Sequence, residues 1–223
     1  MSQTVSRRSS AGALVWLSSL QYFMAQAIAA YAWEPPYTWR LNAISDLGAV
    51  GCGPFDGRSV CSPLHGVMNA SFILLGLAMT AGSVLLYRQF CRSRTGFSFM
   101  ALAGVGAMLV GVFPEDTVYW AHIAGADLAF LLGNVALIVF GLTLRAPRWF
   151  SWYSIASGAV ALVALALFIT HHRFFLELGG MERLVAYPQT IWLVAFAVLA
   201  LSETRSSDAN ARRSVDRPGL AGL

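Results

Sequence analysis

Six apolar stretches, each close to the about 20 residues a helix needs to cross the hydrocarbon core of a bilayer, constrain this chain more than any other feature. They run over residues 11–32, 63–87, 96–113, 121–144, 151–171 and 184–202, with few or no charges inside. In hydrocarbon a backbone N–H or C=O meets no water, so open-chain segments cross as helices. The expected fold class is therefore all-α: a polytopic membrane protein, a six-transmembrane-helix bundle with both termini cytoplasmic. Composition agrees, since 12% of the 223 residues are charged against about 25% in soluble domains. The third stretch carries Gly104, Gly106 and Gly111, which reads as a surface for close helix contact.

Every basic residue is arginine, and arginine placement sets the orientation. Arg7, Arg8, Arg88, Arg92, Arg94, Arg145, Arg148, Arg205, Arg212, Arg213 and Arg217 fall on one side, and Arg40, Arg58, Arg173 and Arg183 on the other. The richer side is expected to be cytoplasmic, in the inner (plasma) membrane. Residues 1–10 then form a cytoplasmic N-terminus, 11–202 the transmembrane domain with an external loop at 33–62, and 203–223 a disordered cytoplasmic tail. An alternative for the start is a signal peptide cleaved near Ala27 or Ala32, after the small-residue run AQAIAAYA. The short, scattered arginine groups do not make a nucleic-acid face; the expected partners are membrane lipids. Cys52 and Cys61 share the external loop, where oxidation is possible, and are expected to form a disulfide, two free thiols being the alternative.

All four histidines lie at external ends of spans: His65, His122, His171 and His172. His65 and Asn69 share one helix face. Asp127 lies roughly 9 Å inside the fourth span at 1.5 Å per residue, so it should face the bundle interior or a wet cavity, or be protonated. His122 is about 140° from Asp127 around that helix, which argues against one small ligand touching both. The connector at 112–122 brings Glu115, Asp116 and His122 close in sequence, and capping alone would explain Asp116. Gly179 and Gly180 are expected to turn the chain before a last helix that opens with Glu182 and Arg183.

Four motifs in order carry a resemblance: NAISDLGA (42–49), PLHGVMNASFILLG (63–76), GVFPED with AH six residues behind the first acid (111–122), and GMERLVAYPQTIW (180–192). Together they resemble the prokaryotic integral membrane proteins of domain-of-unknown-function family 998. That resemblance implies six helices with the polar motifs on one membrane side, and no established activity. It points to Asn42, Ser45, Asp46, Gly48, His65, Asn69, Pro114, Asp116, His122, Glu182 and Arg183. More distantly the chain resembles the superfamily of alkaline ceramidases and progestin-type receptors, whose zinc site uses histidines, an aspartate and a serine. It departs from that pattern, with no HxxxH in its last helix and one helix too few.

Two functions follow as expectations. One is an extracytoplasmic Asp/His/Arg site that binds a lipid or an anionic headgroup, with Asn42, Ser45, Asn69, Asp127, Glu182 and Arg183 as binding residues. The alternative is a metal-dependent intramembrane hydrolase acting on a lipid, with Asp46, His65, Asp116 and His122 as catalytic residues and ligands. Imidazoles and carboxylates suit zinc, which would lower the pKa of a bound water. An ion pathway through Asp127 and Asn134 lacks a continuation in the cytoplasmic half. Asp46 itself is expected either to point into the bundle mouth and pair with Arg183, His65 or His122, or to cap a short helical turn.

Overall fold

The computed structural model describes residues 2–34, 37–88 and 90–215, with side chains for 10–34, 37–88, 90 and 92–202. Its helices are α1 (Ser2–Leu17), α2 (Gln21–Tyr31), α3 (His65–Tyr87), α4 (Arg94–Val112), α5 (Tyr119–Thr143), α6 (Arg148–Ile169) and α7 (Glu177–Val215). A 3₁₀ turn at Ser18–Leu20 joins α1 to α2, where Ser18 Oγ donates to the Val15 carbonyl at 2.6 Å and bends the helix without ending it. Six segments are long and apolar enough to span a membrane: Ser10–Tyr31, His65–Tyr87, Arg94–Val112, Tyr119–Thr143, Arg148–Ile169 and Phe174–Ser202. The chain is an integral, multi-pass membrane protein.

The last span differs from its expected start at residue 184. Gly179 and Gly180 do not turn the chain; they sit inside the first turns of α7. Their N–H groups both donate to the Arg40 carbonyl, at 2.9 and 3.1 Å. A Cβ on Gly179 would lie 2.0 Å from the Asn42 carbonyl oxygen, so glycine is required there for close approach of loop to helix. Beyond Ser202 the backbone of α7 continues to Val215. Of the tail expected to be disordered, residues 216–223 lie outside the described residues.

Consecutive helices α3 to α6 pack side by side, and α7 closes the ring against α6 and α1, which in turn packs on α3. Glycine makes the tightest crossings possible. A Cβ on Gly104 would lie 2.5 Å from the Gly76 carbonyl, and one on Gly106 would lie 2.5 Å from the Gly125 carbonyl, which bears out the close-contact reading of that stretch.

The two ends of the bundle are filled differently. At the end where α1 begins and α7 finishes, Trp16 of α1 has no exposed surface and its ring lies 5.2–6.3 Å from those of Phe97, Phe140, Trp192 and Phe196. Phe140 and Trp192 stack at 4.7 Å, and the Trp192 indole donates to Ser154 Oγ at 2.6 Å. This plug of rings draws on four helices, and Ser154 ties in a fifth, α6. The opposite end, which we call the loop end, is capped instead by residues 37–64.

Within that cap, β1 (Gly53–Phe55) pairs antiparallel with β2 (Arg58–Val60), Phe55 opposite Arg58. The link is Asp56-Gly57, both with positive φ (46° and 76°), the geometry of a type I′ hairpin turn and the reason an Asp-Gly pair stands there. The Cys52–Cys61 disulfide closes the hairpin's open end, as expected from their shared loop.

Because Trp16 fills the centre of the plug, Trp16→Ala should lower stability in detergent by about 3–5 kcal/mol. Loss of the first span at Ala27 or Ala32 would remove the same ring, so intact mass of membrane-extracted protein should include residues N-terminal to Ala27; a mature chain beginning after Ala32 would contradict this packing.

Candidate functional site

The loop from Tyr37 to Gly51 lies across the bundle mouth largely without regular structure, so its backbone groups need partners from side chains. The Ile44 N–H donates to Glu182 Oε2, and Ser45 Oγ donates to Glu182 Oε1 at 2.9 Å. The N–H groups of Val50 and Gly51 donate to the two oxygens of Asp116 at 3.1 and 2.7 Å. Asn69 Nδ2 donates to the Gly48 carbonyl at 2.8 Å, and Ser62 Oγ to that of Leu47 at 2.7 Å. Arg183 Nη1 donates to the carbonyls of Trp39, Asn42 and Gly179 at 2.7, 2.9 and 2.8 Å, and Nη2 donates to the Tyr37 hydroxyl. Its guanidinium also lies 4.8 Å from the Trp39 ring. Burial pushes the Tyr37 phenol up, so it stays neutral and donates to the Ala43 carbonyl at 2.7 Å.

Beside this loop stands a charged cluster centred on Arg58, which the hairpin turn aims inward and which lies 5.2 Å over the Phe55 ring. Its Nη2 is 2.6 Å from Asp46 Oδ1 and 3.4 Å from Glu115, and its Nη1 is 3.0 Å from Asp56. Its Nε donates to both oxygens of Asp46. Asp46 is fully buried and also accepts from the Ala43 N–H at 2.8 Å. Burial works against the Arg58 charge, but the hydrogen bond and charge of Asp46, then Glu115 and Asp56, hold its pKa above the ordinary value. Burial, and after it the adjoining Asp46 carboxylate, push the Glu115 carboxyl well up, outweighing the pull of Arg58. The guanidinium lies nearest Asp46, and Glu115 is the acid of the cluster whose carboxyl is held well up.

Asp46 therefore joins the two expectations. It braces the start of the Ser45–Gly48 turn through Ala43, and it makes an ion pair, but the partner is Arg58 rather than Arg183, His65 or His122. The reason is the hairpin, which carries Arg58 back over the turn while Arg183 spends its donors on carbonyls. Arg58 entered the sequence reading only as a topology signal; the Asp-Gly pair before it was the available clue to its position.

Below the cluster a cavity of about 300 Å³ opens between α5, α6, α7 and the hairpin. Its lining combines the ionisable Asp56, Arg58, Glu115, His171 and Arg173 with the apolar Phe55, Phe130, Leu165 and Phe168. Asp127 and His122 both line it, despite their angular separation. The cavity is wide enough to meet α5 on two faces, and His122 also borders a smaller inner cavity of about 30 Å³ shared with Ser45, Glu182 and Gln189.

The other expected residues are distributed around this frame. His65 Nδ1 donates to the Ser62 carbonyl and His122 Nδ1 to that of Phe113, each at 2.9 Å; a carbonyl only accepts, so Nδ1 carries the proton in both. Asn42 Oδ1 accepts from the Thr38 N–H at 3.0 Å. Asn134 Nδ2 donates to the Phe130 and Val185 carbonyls at 2.9 and 3.0 Å, bridging α5 to α7. Asp46, His65, Asp116 and His122, the expected zinc ligands, do not converge: among the described residues no three His, Cys, Asp or Glu side chains gather where one ion could sit.

A family model described as protein of unknown function, DUF998, matches residues 16–199 of the chain. No curated protein matches it, and no solved structure does.

Replacing Arg58 by alanine leaves Asp46 buried without its counter-charge and should lower stability by about 3–5 kcal/mol, with Arg58→Ala/Asp46→Asn costing less than the sum of the single changes in a double-mutant cycle. For Glu115 the folded-state pKa is raised, so its stabilising contribution is complete below its ordinary value of 4.5 and is lost as pH rises through the raised value. Glu115→Gln cannot ionise; its melting temperature should match wild type below about pH 4.5, exceed it increasingly as pH climbs from there towards the raised value, and keep a constant lead above it. Parallel melting curves at all pH would contradict the raised Glu115 carboxyl.

Proposed function

Residues 16–199 place the chain in the DUF998 family, to which it belongs, and for this member we propose that the loop-end cavity binds the head and upper chain of a membrane amphiphile. The observation that carries the reading is the mixed lining of one cavity of about 300 Å³, in which Asp56, Arg58, Glu115, Asp127, His171 and Arg173 stand beside the apolar Phe130, Leu165 and Phe168. Ligand sites commonly combine an apolar lining with a few placed polar groups in volumes from about 300 Å³ upward. A head held among Arg173, His171 and Asp127 leaves its chain against Phe130, Leu165 and Phe168. The rings of Trp16, Phe140 and Trp192 fill the other end of the bundle, which favours a blind binding site over a passage.

The site faces the extracytoplasmic side in this proposal. Supporting that orientation are the eleven arginines at the opposite end against four here, and the Cys52–Cys61 disulfide, which persists in an oxidising compartment. Most motif residues serve the site indirectly: Glu182, Arg183, Asn69 and Asp116 hold the 37–51 loop that forms its inner rim.

Ala126 borders both cavities, so Ala126→Trp should fill the space with little change to the charged cluster. Lipid that survives detergent washing, counted per protein by mass spectrometry, should fall at least about tenfold, with helix content and monodispersity retained. Unchanged lipid retention in a folded Ala126→Trp protein would sink the reading.

A further inference from the structure

We infer that the head accepted by this cavity carries an ammonium group, with Asp127 as its partner. The inference rests on the amphiphile reading and extends it to the chemistry of the head. It follows from asking which polar groups on the two cavity walls are still free to meet a ligand.

One cation on the wall is committed and one only in part. Arg58 is shared among Asp46, Asp56 and Glu115, whereas Arg173 reaches only His171 Nδ1, 3.5 Å from its Nη2, and its buried Nε has no partner among the described residues. Glu182 is an acceptor already supplied by Ile44 and Ser45, and the His122 Nδ1 proton goes to Phe113. Asp127 differs from all of these. It lines the cavity, lies within a membrane span, and has no hydrogen bond or ion pair to another described residue. A carboxylate at that depth needs a positive or donor-rich partner.

A second observation points the same way. Gln189, on the wall of the inner cavity, is almost completely buried, and its Oε1 has no hydrogen-bond partner among the described residues. A buried acceptor without a donor is costly. The unused capacity is thus acceptor capacity at Asp127 and Gln189 and donor capacity at the Arg173 Nε on the same wall as Asp127, a pattern complemented by a head that carries an ammonium beside an anionic group. An ammonium brings Asp127 both N–H donors and positive charge; a head whose donors are hydroxyls can hydrogen-bond the carboxylate but brings it no counter-charge.

The test uses the full chain, delipidated in detergent and titrated by native mass spectrometry with dioleoyl phosphatidylethanolamine or dioleoyl phosphatidylglycerol. These share chains and phosphate and differ in the ammonium. Asp127 is exposed in the structure and makes no protein contact of its own by hydrogen bond, so Asp127→Asn should fold normally, as helix content and melting temperature check. The expected result is at least about tenfold tighter binding of the ethanolamine lipid, reduced to parity with the glycerol lipid in Asp127→Asn. Equal binding of the two lipids to wild type, or a preference unchanged in Asp127→Asn, would overturn the ammonium inference and leave the amphiphile reading standing. Soluble glycerophosphoethanolamine forms a separate arm. If it binds in an Asp127-dependent way while neither diacyl lipid does, the ammonium inference holds and the amphiphile reading fails; binding of none of the three overturns both.

Discussion

Backbone that lies away from water must find a hydrogen-bond partner, and in this protein that requirement governs both halves of the structure. The spans meet it internally as helices. The 37–51 loop cannot, because it crosses the bundle mouth with little regular structure, and so side chains from α3, α7 and the 113–118 connector complete it. Glu182, Arg183, Asp116, Asn69 and Ser62 each contribute to a loop N–H or C=O. Without them the loop would have to leave the mouth, and the wall of the cavity would leave with it.

The charged cluster adds a second tie between the same elements. Arg58 reaches the turn through Asp46, the hairpin through Asp56 and the connector through Glu115. A buried ion pair contributes little to stability when compared with a well-packed apolar substitute, so its value here is positional: it fixes the hairpin against the bundle at one register. Burial and the Asp46 carboxylate hold the Glu115 carboxyl well up, and Asp46, at 2.6 Å, is the carboxylate nearest the guanidinium.

This division of labour changes how the motif residues are understood. Residues of scarce type at helix ends drew attention as ligands, and several of them turn out to be loop supports. Arg183 looked suited to a phosphate; its donors go to three carbonyls and a phenol. Asp116 looked like a metal ligand or a cap, and it receives two successive N–H groups from another element. Asp127, by contrast, carries no such duty and faces the cavity, which is why the chemistry of a ligand is argued from it.

The sequence alone determined the number of spans, their helical state and the separation of arginine-rich from histidine-bearing ends, because those follow from local hydropathy and the cost of unsatisfied backbone in hydrocarbon. It also pointed to the disulfide, since two of the three cysteines share the loop between the first two spans, and the structure forms it. The partner of Asp46, the placement of Gly179 within a helix rather than a turn, and the meeting of His122 and Asp127 on one cavity were decided by tertiary structure. Each depends on the approach of segments far apart in the chain, Arg58 to Glu115 or Asn42 to Gly179, and no local period or spacing encodes which distant backbone group a side chain must satisfy.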